Sequence, residues 1–348
     1  MRFVVRFPRR HALTLLVCTI LHGIAPGTAT AEPACVDDER NLQFGFYAHF
    51  APVSYSADSR PGTAGFDVHL GYEADLLTAL EAMQGAGLRF ARSGIAQWDG
   101  IWLRSAEPRY DIVGGGITIL DARTRDASGR RAVAFTSGHV AFRQSLLIRA
   151  EDAGRIARHA DLKSDMRVGV LAGTTGEVRL LELTNLIDRD GILAAGTRIE
   201  TDGEAVVADG SAAYFIRASD SSSMLEGRRH IRPPGDDRPR IVYLGANDGE
   251  NELLDALRSG RIDAIARGEI GNRDAAAESG GVLAVAALDH RVEYGGFALA
   301  AENAELAACL DRRIAWITNG GRIGYGEWRE DPAVFMRRAR AWRPDMDR

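Results

Sequence analysis

From Leu42 onward, short apolar segments that read as strands alternate with segments whose apolar residues recur at helical spacing, and that alternation restricts the chain to an α/β fold. Residues 42–48 read as the first strand. Residues 72–83 follow as a helix, with Tyr72, Leu76, Leu80 and Met83 on one face. A strand at 88–92, a short helix around 98–103 and a strand at Ile112 and Val113 complete the first run. Further on, 144–149 and 167–171 read as strands, and a helix starts near Gly176. The pattern resumes with a helix at 252–257, a strand at 262–265 and a returning strand at 294–299. An apolar helix through Leu306, Cys309, Leu310 and Ile314 comes next, then a turn at 319–321 and a last helix through Trp328, Phe335 and Met336. Ligands of such sheets bind beyond the carboxyl ends of the strands, where Tyr47, Trp98 and residues 114–118 can converge.

Residues 1–10 carry four arginines and no acid, an apolar run fills 12–21, and Ala29, Thr30 and Ala31 follow. This is the pattern of a cleavable secretory signal over residues 1–31, which predicts a periplasmic protein beginning at Glu32. The apolar run is too short for a permanent membrane helix, and no later stretch is long enough. Arg9 and Arg10 fit a twin-arginine signal poorly, and neither Cys18 nor Cys35 has the upstream residues of a lipid anchor. Four of the 43 basic residues leave with the signal, so 39 face 48 acidic ones, and nucleic acid is not the expected partner. Cys35 and Cys309 then remain, an even number in an oxidising compartment. A disulfide between them is expected; two separate buried thiols are the other reading.

The stretch 110–137 carries the clearest chemistry. Its strand leads into Gly114, Gly115 and Gly116, where no side chain blocks approach to the backbone. Thr118 adds a hydroxyl, and five residues later Arg123 offers a planar fork suited to a carboxylate. Bare amides, a hydroxyl and a guanidinium point to a small anionic ligand. Gly173, Thr174 and Thr175 precede the second-half helix, where free amides and hydroxyls make either an anion site or an ordinary helix cap. No Gly-Lys-Ser/Thr ending follows, so ATP is not implied. His49, His69, His139, His159, His230 and His290 are scattered, and there is no zinc-type spacing, no Gly-x-Ser-x-Gly elbow and no catalytic cysteine pattern. Neither a metal nor a cofactor is expected.

Tyr110 and Asp111, the Gly116-Ile117-Thr118 triplet, Arg123 and the Phe135-Thr136-Ser137 triplet together resemble the motifs of the periplasmic solute-binding proteins of polar amino-acid ABC transporters. These are type II periplasmic binding proteins, extracellular solute-binding family 3. Residues 161–177, DLKSDMRVGVLAGTTGE, are similar to that family's D-L-K-G-K-x-V-G-V-x-x-G-T-T-G-E. The Phe50-Ala51-Pro52 turn, the run from Gly71 to Leu76, the Trp98-Asp99 pair, residues 256–265 and residues 294–299 match further motifs in family order. The resemblance implies a two-lobed α/β fold with a ligand cleft between the lobes: residues 32–138 and 292–348 form the first lobe, and 139–291 the second, with an insertion at about 185–247. It implies that Arg123 binds an α-carboxylate, helped by Thr118 and by Gly173, Thr174 and Thr175. Gly115 and Gly116 would offer backbone groups, and Tyr47, Phe50 and Trp98 would wall the pocket.

Three departures stand out. The loop between Arg123 and Phe135 is longer than the family's, and Gly138-His139 replaces Asp-Pro. Gly268 stands where an Asp commonly binds the ligand's amino group. The neighbouring Glu269 serves that purpose only if the strand end shifts by one residue; otherwise it is a solvated or salt-bridged acid. The function implied is a monomeric, non-enzymatic component of an ABC uptake system that binds a small carboxylate-bearing solute such as an amino acid and presents it to a membrane permease. Two alternatives stay open: a cyclohexadienyl dehydratase-like periplasmic enzyme, with Glu269 as acid, and a soluble sensing subunit for a receptor.

Overall fold

The computed structural model describes residues 35–36, 40–246 and 249–343. The export signal read at residues 1–31 lies outside the described residues. Two sheets organise the chain into two lobes. In the first, Leu42–Tyr47 runs parallel to Phe90–Ile95 on one side and Ile112–Gly114 on the other. Ala298–Ala300 then runs antiparallel to both Ile112–Gly114 and Val133–Phe135, completing a five-stranded sheet. Leu42–Tyr47 is buried at every position but Gln43, because layers cover both of its faces. One of those layers is α1 (Tyr72–Ala82), which buries Leu76, Leu77, Ala79 and Leu80. The segment 54–70, for which the sequence suggests no role, forms a small three-stranded sheet of His49–Phe50, Ser54–Ser56 and His69–Leu70. His69 stacks 4.0 Å from Phe46 and meets Ser54 Oγ at 2.9 Å; burial pushes its pKa well down, so it is a neutral core histidine.

Val140–Arg149 carries the chain from one lobe into the other. Its first four residues pair with Val292–Gly295, and its later ones pair with Ala264–Gly268 and Leu283–Ala286. The strand therefore begins four residues before the expected 144, where the second crossing strand supplies partners invisible to local patterning. In the second lobe, Arg167–Val170 lies parallel between Arg240–Tyr243 and Ala264–Gly268. Helices α2 (Thr175–Leu183), α3 (Gly249–Arg258) and α4 (Glu269–Glu278) flank that sheet. The stretch 185–247 continues the sheet outward: Arg228–Arg232, Arg198–Thr201 and Ala205–Val207 add antiparallel strands beyond Arg240–Tyr243.

After Ala298–Ala300 the chain packs α5 (Ala304–Ile317), α6 (Tyr325–Glu330) and α7 (Val334–Ala341) against the first lobe. The single last helix expected from the sequence is broken in two, because Pro332 forces Asp331 before it out of the helical region, at φ −147° and ψ 84°. The short helix expected at 98–103 is a 3-10 turn at Ile101–Ala106, which leaves Trp98 on the loop before it. Cys35 and Cys309 form a disulfide, with Cα atoms 5.5 Å apart, that ties the start of the described chain to α5. Among the described residues no helix is long and apolar enough to cross a membrane.

Candidate functional site

The carboxyl ends of the parallel strands in the two lobes face each other. Tyr47 closes the first strand, Phe50 follows on the small sheet, and Trp98 and Thr118 come from loops beyond the strand ends. Across from them, Leu171 and Thr174–Gly176 end the strand Arg167–Val170, while Arg267 and Gly268 end Ala264–Gly268. Phe142 and Gln144 reach in from the crossing strand, and Glu250 from the first turn of α3. These residues line a cavity of about 50 Å³. That volume holds a few waters and is too small for an amino acid, so the lobes stand closed on one another.

Hydrogen bonds across the gap hold that closure. Trp98 Nε1 donates to the Gly173 carbonyl at 3.0 Å, and the Thr118 and Thr175 hydroxyls lie 3.3 Å apart. Arg123 contributes most. It is fully buried, and its Nη2 donates to Gly173 O at 3.0 Å, Nε to Ala218 O at 3.0 Å and Nη1 to Thr118 O at 3.1 Å. Trp102 lies 4.3 Å beneath the guanidinium. Burial pushes its pKa down to about 9, with Glu293 pulling it back, so it remains a cation at neutral pH. In this closed arrangement Arg123 does not line the cavity, and its fork grips main-chain carbonyls. The second-lobe carbonyl at Ala218 belongs to the stretch 185–247, which the sequence left without a role.

The glycines also differ from the expectation of bare amides. Gly116 N donates to Glu73 Oε1 at 2.9 Å. A Cβ on Gly115 would come within 2.4 Å of Tyr47 Cβ, and one on Gly116 within 2.6 Å of Phe50 Cε1, so both glycines let aromatic side chains pack against backbone. Gly116 lines the cavity and Gly115 does not. Gly173 N donates to Glu177 Oε2 at 2.6 Å, which leaves neither its amide nor its carbonyl open. Thr174 is the N-cap of α2, accepting from Glu177 N at 3.1 Å; the ordinary cap is the reading that fits, although Thr174 also touches the cavity. Thr175 accepts from Gln144 Nε2 at 3.0 Å. Glu269 does not enter the cavity: it opens α4 and is held by Arg143 at 3.3 Å and Arg273 at 3.2 Å, the salt-bridged alternative.

Against known proteins, no family model and no curated protein matches the chain. Solved structures do. The substrate-binding protein of an amino acid ABC transporter superposes with a TM-score of 0.55 at 16% identity, covering 86% of this chain and 100% of that one. Holo ArgBP from T. maritima gives a TM-score of 0.51 at 17% identity over 79% and 88% of the two chains. The fold is the two-lobed solute-binding fold. The ancestral amino acid-binding protein AncCDT-1, a precursor of cyclohexadienyl dehydratase, shares it with a TM-score of 0.52 at 20% identity, over 87% and 95%.

Within this solute-binding fold the sequence reading missed the most polar part of the cavity. Arg267 is nearly buried and its Nη1 bonds the Glu250 carboxylate, while Nε donates to Asn272 Oδ1 at 2.7 Å and Nη2 to Gly271 O at 2.8 Å. Burial raises the pKa of Glu250, and Arg267 counteracts part of that rise. Among the described residues that line the cavity, two buried atoms have no hydrogen-bond partner: the Tyr47 hydroxyl, whose pKa burial drives well up, and Gln144 Oε1. The sequence carries no signal for the Arg267–Glu250 pair, since strand alternation puts Arg267, like Glu269, on the face opposite Gly268. Among the described residues no group of His, Cys, Asp or Glu is placed to hold a metal ion.

Proposed function

We propose that this chain is the solute-binding component of an ABC uptake system, exported to the periplasm, where it closes around a small amino acid and presents it to a membrane permease. The observation that carries the reading is the set of side chains that the two lobes bring together, in a space that must open to take an amino acid. Aromatic walls from Tyr47, Phe50 and Trp98 on one lobe face a buried Arg267–Glu250 pair on the other, and the unpartnered Tyr47 hydroxyl and Gln144 Oε1 point to a polar ligand. Glu250 lines the cavity beside Gly268, so it supplies the acid that the sequence lacks at 268 and accepts the ligand's ammonium. Arrival of that cation favours the charged carboxylate that burial disfavours.

Entry requires opening about the two crossing strands, with lobe boundaries near 138 and 291. Opening breaks the bonds from Arg123 to Gly173 and Ala218 and turns its fork toward the cleft, where it takes the α-carboxylate with Thr118 and Thr175. Binding, with no chemical step, is the activity proposed, and the functional unit is a monomer. A second reading draws on Glu250. A buried carboxyl with a raised pKa is suited to general-acid work, and a precursor of cyclohexadienyl dehydratase shares the fold.

Thermal unfolding of the exported chain against a panel of amino acids, the matching deaminated acids and prephenate tests both readings. A ligand at a hundred times its Kd stabilises by about 2.7 kcal/mol, enough for a clear rise in Tm. The expected result is a rise with an amino acid, little with its deaminated analogue, and recovery of the ligand intact. Equal stabilisation by the deaminated acid would remove Glu250 from amine recognition, and turnover of prephenate would replace binding by catalysis.

A further inference from the structure

The strands that extend the second-lobe sheet place an arginine on each of four neighbours. Arg198 lies opposite Arg232, the register of the next pair sets Arg232 beside Arg240, and Arg240 lies opposite Arg167. Like charges at such positions repel. Part of the repulsion is offset within the sheet. Glu200 meets Arg232 at 3.1 Å, His230 at 3.3 Å and Arg198 at 3.7 Å, and Asp263 holds Arg167 at 3.2 Å. Arg240, in the middle of the row, has no carboxylate within ion-pairing reach among the described residues. Neither has Arg261, whose Nε donates to Ser259 Oγ at 3.3 Å.

These arginines rim a concavity. Arg167, Arg232, Arg240 and Arg261, with His230, enclose about 360 Å³ that no carboxylate lines, over an aliphatic floor that includes Val242 and Leu244. Arg167 and Arg240 are the first residues of their strands, and the pocket runs from them along the sheet to Leu244, sharing no lining residue with the solute cavity. Arginine forks arriving from adjacent strands and from the turn at 261 suit an acceptor group with oxygens in several directions.

We propose that this pocket is a second binding site, for a compact phosphate-bearing anion with at least two negative groups. The apolar floor takes the body of the ligand and the guanidinium rim takes its phosphates. Such a group comes either as a soluble phosphate ester or as a phospholipid headgroup, and the two are separable by experiment.

Pyrophosphate is titrated calorimetrically into the purified exported chain, and vesicles containing cardiolipin, whose headgroup carries two phosphates, are co-sedimented with it in parallel. Both assays are repeated on R232E/R240E, which alters exposed side chains only, and on R322E, an exposed reversal elsewhere. Pyrophosphate bound by the parent and by R322E, and weakened about tenfold or more in R232E/R240E, supports a soluble ligand. Vesicle binding lost in R232E/R240E, without pyrophosphate binding by the parent, supports the same pocket with a lipid headgroup as the source. Binding that survives R232E/R240E unchanged, or no binding of either probe by the parent, overturns the site. Amino-acid stabilisation measured on the same samples reports on the cleft separately.

Discussion

Arg267 is the residue whose loss would be felt most widely, because removing it leaves the Glu250 carboxylate among buried groups. Breaking a buried ion pair from one side costs about 3–5 kcal/mol, whereas removing both charges together costs far less. Arg267→Met is expected to lose stability of that order in urea unfolding, and Arg267→Met with Glu250→Gln to regain most of it. Glu250 also sets a pH dependence. Its folded pKa lies above the ordinary 4.5, so between those values the native state holds a proton that the unfolded chain has released. Its contribution is fully present below 4.5 and is lost as pH rises through the folded value. A plot of unfolding free energy against pH should fall across that window in the parent and flatten in Glu250→Gln. Neither residue was legible in the sequence. Glu250 lies two residues before the helix expected at 252–257, and Arg267 is one of many arginines in a chain whose sole lysine is Lys163. Tyr47, Trp98 and Thr118 line the cavity where strand ends place them, and Phe50, named only through the resemblance, lines it too. What a strand end does not reveal is which polar groups are consumed by closure, and Arg123, Gly116 and Gly173 all fall in that class.

At the scale of elements, the alternating pattern located α1, α2, α3 and the parallel strands other than Arg240–Tyr243 within a few residues, since each has an apolar face of its own. The strands of 198–243 had no such signal: they are three to five residues long, and three of the four carry arginines. Their inner anchor is Glu177 of α2, fully buried, which accepts from Arg228 at 2.8 Å and from the Tyr243 hydroxyl at 2.8 Å. Glu177→Ala should therefore loosen the extended half of the sheet, exposing amides of Arg228–Arg232 to hydrogen exchange well before those of Leu42–Tyr47. The disulfide closes a loop with a sequence separation of 274. Its removal by Cys35→Ser and Cys309→Ser is expected to cost about 2–5 kcal/mol, read from the urea midpoint against the oxidised parent.

For the molecule as a whole, closure of the lobes depends on a few contacts, and Arg123 makes two of the bonds to the second lobe itself. Arg123→Ala should shift the population toward open lobes, seen as a larger radius of gyration in small-angle scattering without solute; an unchanged profile would remove Arg123 from the latch. Two lobes joined by crossing segments followed from the order of motifs along the chain, while the closed state did not, because it depends on contacts between loops far apart in sequence. One topological detail bears on how the chain acquires its shape. Ala298–Ala300 sits inside the first sheet, between Ile112–Gly114 and Val133–Phe135. A ribosome or translocon delivering this polypeptide from its amino end releases every strand of the second lobe before that one. The half that begins first is therefore finished last, and Val133–Phe135 waits without its sheet neighbour until almost the entire chain has emerged.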